Sequence, residues 1–310
     1  MKKLILVGLC MIFLVGIVVG WDIDDMVYDE VSFLVSQDAS PSSIFFKPDG
    51  TYFYISGSSN TVHQYPLSSA WDLSTASFVN DEYDTSSQTV TSDTGVFFKP
   101  DGIEMYVLSY GDYIVYQYTL GTAWNVTTAI FNDMNYTLNA QDATISGIFF
   151  KPDGTKMYIT GDTNNAIYQY TLDTAWNIST TSYDIVSYDV TGETSDLGEI
   201  YINATGNRFY LVSWGDDLIY QYTLGTPWVI NTATYDELNY NASDEDTSPQ
   251  GIYFKPDGTK GYIVGTQRDT VYQYTLEAPP PPTPPQLNIT SISKTSKLTI
   301  NKGGMLTISK

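Results

Sequence analysis

Short apolar bursts separated by turn residues run along most of this chain. Ile148-Phe149-Phe150 is one such burst, and Lys151-Pro152-Asp153-Gly154 follows it. The proline is preset for the second position of a turn, and the glycine suits a positive φ at its end. Thr155 to Thr160 and Ala166 to Leu172 are rich in strand formers, with the polar loop Gly161-Asp162-Thr163-Asn164-Asn165 between them. A second loop carries Trp176 and leads into another strand-like stretch, Ser182 to Tyr188. The pattern predicts four strands of about five to seven residues with turns between them. No window in this region sustains a helical period.

The unit recurs every 52 residues. Phe46-Lys47-Pro48-Asp49-Gly50 returns at Phe98 to Gly102, at Phe150 to Gly154 and at Phe254 to Gly258. A degenerate copy, Ile202-Asn203-Ala204-Thr205-Gly206, sits in the same register. Four short antiparallel strands repeated in tandem are the signature of β-propeller blades, which cannot bury their faces singly and must stack. The pairing of Lys-Pro-Asp-Gly with a following Met-Tyr-Ile or Met-Tyr-Val also resembles the Ser-Pro-Asp-Gly/Tyr-Val propeller repeats of many surface and secreted proteins. That resemblance covers about residues 21 to 277; it implies the fold and leaves the activity open.

Complete repeats carry a tryptophan after the third strand, at Trp71, Trp124, Trp176 and Trp228. The fifth stops at Leu276 without one, and the missing piece lies at the other end of the chain, where Trp21-Asp22-Ile23 matches Trp71-Asp72-Leu73. The expected architecture is therefore an all-β, five-bladed propeller over residues 21–277, with Val27 to Phe33 closing the last blade. An open array or a dimer of half-rings are the alternatives.

Composition adds the flanks. Residues 1–20 read as a secretory signal, with Lys2 and Lys3 before an apolar stretch from Leu4 to Val19. The expected location is secreted, extracellular or cell-surface. The one cysteine, Cys10, falls in this segment, so no disulfide is expected in the mature chain. All 35 acidic residues and only eight basic ones fall between 21 and 277, which leaves that stretch at −27. Such a surface argues against nucleic acid and anionic membranes as partners. Residues 278–286 form a proline-rich linker, and 287–310 a short basic, β-prone tail with two alternating stretches around Gly303-Gly304. The tail is a candidate for docking on a neighbouring subunit. Possible glycosylation sequons begin at Asn125, Asn135, Asn177, Asn203, Asn241 and Asn288.

Catalytic groups are scarce. His63, the sole histidine, holds the repeat position of Tyr116, Tyr168, Tyr220 and Tyr272, which reads as a tolerated swap. The Lys-Pro-Asp-Gly aspartates read as turn chemistry rather than metal ligands. Inner strands centred on Phe45, Phe97, Phe149, Tyr201 and Tyr253 carry no carboxylate; only Glu199 stands out, just before its strand, where other copies have Ser43, Gly95, Gly147 and Gly251. One acid is not the pair that glycoside hydrolysis needs. No catalytic residue, metal or cofactor is therefore expected.

Positions that differ between copies carry more functional information. In the loops between second and third strands these are Tyr110, Asp112, Asp162, Asn164, Trp214, Asp216, Asp217, Arg268 and Asp269. The blade-crossing loops add Asp142, Glu193, Asp196, Asp244, Glu245 and Asp246. An aromatic beside carboxylates suits sugar stacking with hydroxyl hydrogen bonds. The expected function is a non-catalytic recognition or surface-structural module with a glycan ligand or a surface protein as partner. An assembly subunit of a virion or cell surface, and a propeller hydrolase acting on glycans or lactones, are the alternatives.

Overall fold

The computed structural model describes residues 22–89, 91–276, 297–300 and 306–309. The predicted secretory segment, the proline-rich linker and Asn288 lie outside the described residues. The chain divides into two compact units, Met1–Ala278 and Pro279–Lys310.

The first unit is a five-bladed β-propeller. Blade 1 comprises β2 (Pro41–Phe46), β3 (Tyr52–Gly57), β4 (Thr61–Pro66) and β5 (Asp81–Asp84). Blade 2 comprises β6 (Asp93–Phe98), β7 (Glu104–Ser109), β8 (Ile114–Leu120) and β9 (Ala129–Thr137). Blade 3 comprises β10 (Ile145–Phe150), β11 (Lys156–Gly161), β12 (Ala166–Leu172) and β13 (Thr181–Asp189). Blade 4 comprises β14 (Leu197–Ile202), β15 (Arg208–Ser213), β16 (Leu218–Leu224) and β17 (Ala233–Asn241). Blade 5 takes β18 (Pro249–Phe254), β19 (Lys260–Gly265) and β20 (Thr270–Leu276) from the end of the repeats, and β1 (Met26–Leu34) from their start. Val27 pairs with Thr275, Tyr28 with Tyr274 and Phe33 with Val271, so the closure read from Trp21-Asp22-Ile23 is the one observed. The innermost strands β2, β6, β10, β14 and β18 each lie against their two neighbours around the ring.

Side chains at fixed repeat positions weld blade to blade. Phe46, Phe98, Phe150 and Phe254 are fully buried. Each packs on a second-strand tyrosine of the preceding blade, with ring centroids 4.1–4.6 Å apart. The hydroxyls of Tyr54, Tyr106, Tyr158 and Tyr262 donate across the seam to the backbone oxygens of Trp124, Trp176, Trp228 and Trp71, at 2.6–2.8 Å. Five third-strand glutamines accept from backbone N–H groups of the next blade. Gln221 takes Ile23 N at 3.0 Å and Gln273 takes Leu73 N at 2.8 Å, which carries the series through the closed blade.

The tryptophan and turn glycine form a local lock. Trp176 has φ 66° and donates its N–H to Gly154 O at 3.0 Å. Gly154 has φ +72°, and a Cβ there would lie 2.4 Å from the indole. Only glycine satisfies both demands. Asp153 accepts from Thr155 N at 3.0 Å and pairs with Lys151 at 2.6 Å, the turn chemistry expected of it. The degenerate copy keeps the turn because Asn203 Oδ1 accepts from Asn207 N at 3.1 Å.

Single 3-10 turns, such as Val126–Thr128 and Ile178–Thr180, precede the outer strands. Three residues are too few to leave a helical period in the sequence. In the second unit, β21 (Lys297–Ile300) and β22 (Leu306–Ser309) pair antiparallel.

Candidate functional site

The propeller has two unlike ends. One carries the Lys-Pro-Asp-Gly turns and the tryptophans; the other carries the β3–β4-type loops and the crossing loops. These are the turn end and the loop end below. Leu276 donates its N–H to Thr259 O beside the turn of blade 5, and Asp22 pairs with Arg208 beside the turn of blade 4. The propeller therefore begins and finishes at its turn end.

The central channel is closed part-way by aromatic rings. Phe45, Phe97, Phe149, Tyr201 and Tyr253 form a closed pentagon, each meeting the next edge to face at 5.0–5.5 Å and 66–73°. In this arrangement each ring sets its positive edge against a negative face. On the loop side of the pentagon only about 10 Å³ stays empty, beside Glu199. On the turn side a funnel of about 210 Å³ opens, with Pro48, Pro100, Pro152, Ala204 and Pro256 around its lip.

Glu199 lies within β14, rather than just before the strand as its sequence position implied, because the strand runs back through a bulge to Leu197. Its side chain is 3% exposed. One carboxylate oxygen accepts from Ser43 Oγ; the other accepts from Ile252 N at 3.0 Å and Ile44 N at 3.5 Å. Ser43 Oγ accepts in turn from Val96 N at 3.0 Å. Four of the five inner strands thus meet through this one carboxyl. Gly251 and Gly147 make room for it: a Cβ on either would come within 2.8 Å of Glu199. Burial pushes the carboxyl pKa up to about 8, against the opposing pull of its hydrogen bonds. These contacts occupy the acid with holding strands together.

His63 has a more elaborate setting than its repeat position implied. Its Nε2 lies 3.2 Å from Ser59 Oγ and its Nδ1 3.1 Å from Glu82 Oε2. Burial lowers its pKa, with Glu82 and Asp38 opposing. The array resembles a nucleophile, base and orienting acid. However, Ser59 Oγ donates to Asp38 at 2.6 Å, and the Ser58 and Ser59 N–H groups also donate to Asp38. The amides an oxyanion would need face a buried carboxylate instead. In blade 3, Asn164 meets Tyr168 OH at 3.2 Å in the same register, so His63–Ser59 is the blade 1 version of a repeated structural contact.

The crossing-loop acids Asp142 and Asp246 do the same work as Asp38. Asp142 accepts from Thr163 N and Asn164 N at 3.2 and 3.0 Å, and Asp246 from Gln267 N and Arg268 N, both at 3.2 Å. All three are buried clamps between two loops. Their role was hidden in the sequence because the amides they hold lie about twenty residues away.

The nine candidate residues all lie at the loop end, spread over blades 2 to 5. Trp214 and Tyr110 are the exposed aromatics, at 37% and 43%. Asp112 accepts from Ser109 Oγ at 3.1 Å, and Asp216 from Ser213 Oγ at 2.9 Å. Asp162 joins blades by accepting from Leu197 N at 2.7 Å; burial raises its pKa. Asn164 and Arg268 donate to the backbone oxygens of Gln141 and Glu245 at 2.9 and 2.6 Å. Asp217 and Asp269 have raised pKa values, from partial burial and then from facing acids including Asp246. The loop end of blades 4, 5 and 1 is therefore a field of mutually repelling carboxylates.

Two sequons have a structural explanation. Asn125 and Asn177 cap the 3-10 turns, accepting from the hydroxyls of Thr127 and Ser179 at 2.7 and 2.6 Å; Asp72 does the same with Ser74. Asn203 is 4% exposed. Asn135 and Asn241 are exposed on outer strands.

Among the described residues no three His, Cys, Asp or Glu side chains group as a metal site, and no helix is long and apolar enough to cross a membrane. No protein-family model matches the chain, and no curated protein sequence matches it. Similar solved structures include a chain of the mitotic checkpoint complex, 13% identical with a TM-score of 0.44 over 73% of this chain and 62% of that one. A protein of unknown function from Desulfotomaculum acetoxidans DSM 771 is 14% identical, with a TM-score of 0.43 over the same shares. A Bacteroides uniformis ATCC 8492 protein, provisionally assigned as a 6-phosphogluconolactonase, is 13% identical with a TM-score of 0.47 over 85% of this chain and 76% of that one. The chain thus spans less than two thirds of the first two.

Proposed function

We propose that this protein is a non-catalytic recognition propeller of a secreted or cell-surface setting, reading neutral or cationic glycans with its loop end. The observation that carries the reading is the division of labour between the two ends. Asp22 and Leu276 both sit at the turn end, so an attachment through the flanking segments leaves the loop end facing outward. That end presents Trp214 and Tyr110 among carboxylates and backbone polar groups. Aromatic faces suit the apolar face of a sugar ring, and acids accept from its hydroxyls. The crowded carboxylates disfavour acidic sugars. Glu199 and the His63 array are both engaged in structural bonds, which favours binding over hydrolysis.

The test is a glycan array on the purified chain and on Trp214→Ala and Tyr110→Ala. Signals should fall on neutral or amino sugars, with Trp214→Ala weakening them about tenfold, as one stacking contact is worth. An array without signal, or binding indifferent to both substitutions, would defeat the reading.

An assembly role draws on the second unit. Its β21–β22 pair is a two-stranded sheet, marginal alone in water, with edges suited to strand addition by a neighbour.

A further inference from the structure

The funnel at the turn end has no part in the loop-end reading, and its lining defines a ligand. We infer that it binds a small, uncharged molecule with one aromatic or branched apolar ring and one hydrogen-bonding oxygen, of which phenol is the simplest example.

Size comes first. About 210 Å³ is somewhat larger than the roughly 150 Å³ apolar cavity that suffices for benzene in an engineered protein. It holds one substituted ring and is too small for a folded peptide segment. The floor is the pentagon of Phe45, Phe97, Phe149, Tyr201 and Tyr253, and the wall is proline, so apolar surface dominates. A sugar would bury its hydroxyls there without partners, at the cost of their desolvation.

Charge comes second. The lysines of the surrounding turns are neutralised within their own turns. Lys47, Lys99, Lys151 and Lys255 pair with Asp49, Asp101, Asp153 and Asp257 at 2.6–3.1 Å. The mouth therefore selects for neither sign. In blade 4 the turn reads Asn203-Ala204-Thr205, and the small, exposed Ala204 lowers the lip on one side. That gap gives the ligand its approach.

A single polar anchor comes third. The pentagon contains two hydroxyls. Tyr201 donates to Phe254 O at 2.9 Å. Tyr253 makes no hydrogen bond among the described residues, although it is only 8% exposed, and burial alone raises its pKa. That hydroxyl is not sealed from solvent, and Tyr253 lines the funnel, so a ligand oxygen can take the place of water as its partner. One hydroxyl left to solvent in an apolar floor matches one polar atom on an apolar body.

The test titrates phenol and toluene into the intact chain, following ring-proton shifts and intermolecular nuclear Overhauser effects. Phenol should saturate with a dissociation constant on the order of 1 mM. Contacts should arise from Phe97, Phe149 and Tyr253. Tyr253→Phe should weaken phenol about fivefold, the worth of one hydrogen bond, and leave toluene unchanged. Ala204→Trp, at an exposed position, should obstruct both ligands, while Trp214→Ala should affect neither. Unsaturable shifts, contacts mapping elsewhere, or equal loss of phenol and toluene on Tyr253→Phe would overturn the inference. If Ala204→Trp disturbs the fold, the wild-type contacts decide alone. Glycan binding at the loop end and phenol binding here fail independently, because each has its own substitution.

Discussion

Glu199 should give the propeller a stability that falls as pH rises toward neutrality, and Glu199→Gln should abolish the fall. In the unfolded chain the carboxyl titrates near its ordinary value of 4.5; in the fold it is pushed up to about 8. Below pH 4.5 both states hold the proton and the group adds no pH dependence. Between 4.5 and 8 only the folded state holds it, so ionisation favours unfolding. Above 8 both have lost it. The shift amounts to about 5 kcal/mol of stability lost across that window. A glutamine keeps the shape and the acceptor for Ile252 N and has no proton to lose. Asp93, fully buried and raised to about 7, acts in the same direction but is common to both proteins and cancels in the difference. Thermal melts of the two proteins at steps from pH 5 to 8.5 are the assay. At pH 5 the curves should nearly coincide. By pH 8 the variant should melt roughly 10–20 °C higher, at about 2–4 °C per kcal/mol for a domain of this size. Curves that stay parallel across the range would refute the buried-carboxyl argument.

Three further outcomes are expected. Gly154→Val should destabilise by at least about 1–3 kcal/mol, since φ +72° and an indole 2.4 Å from the new Cβ both oppose it; an unchanged melting temperature would count against the lock with Trp176. Removing residues 22–34 should expose the edge of β20 and leave the Gln221 and Asp29-linked contacts empty, so size-exclusion chromatography should show aggregates, whereas a monomeric folded product would show that β1 is dispensable. Truncation after Ala278 should leave the melting temperature of the propeller unchanged, because the boundary between the two units falls there; unfolding would make the second unit part of the first.

The repeat made the propeller legible. Short apolar bursts, turns at fixed offsets and one tryptophan per copy are local features. A blade that cannot bury its own faces forces stacking whatever the ligand. Even the closure was readable, because Trp21-Asp22-Ile23 repeats the blade's own grammar. The exposed candidates Trp214 and Tyr110 were legible for the complementary reason: they break the repeat where packing does not demand them. What the linear chain concealed was every relation between copies. Glu199 could be singled out, but its grip on Ser43, Ile44 and Ile252 joins residues over 50 or 150 positions apart. Asp142 and Asp246 stood out only as crossing-loop acids, and Asp38 not at all, until the fold brought distant amides onto them. The inner-strand aromatics are visible in the sequence as parts of short apolar runs, yet only ring closure turns five of them into a pentagon with a funnel on one side. Sequence periodicity encodes what each blade does for itself; the channel, its plug and its empty mouth belong to the ring, and they exist only once all five blades converge on one axis.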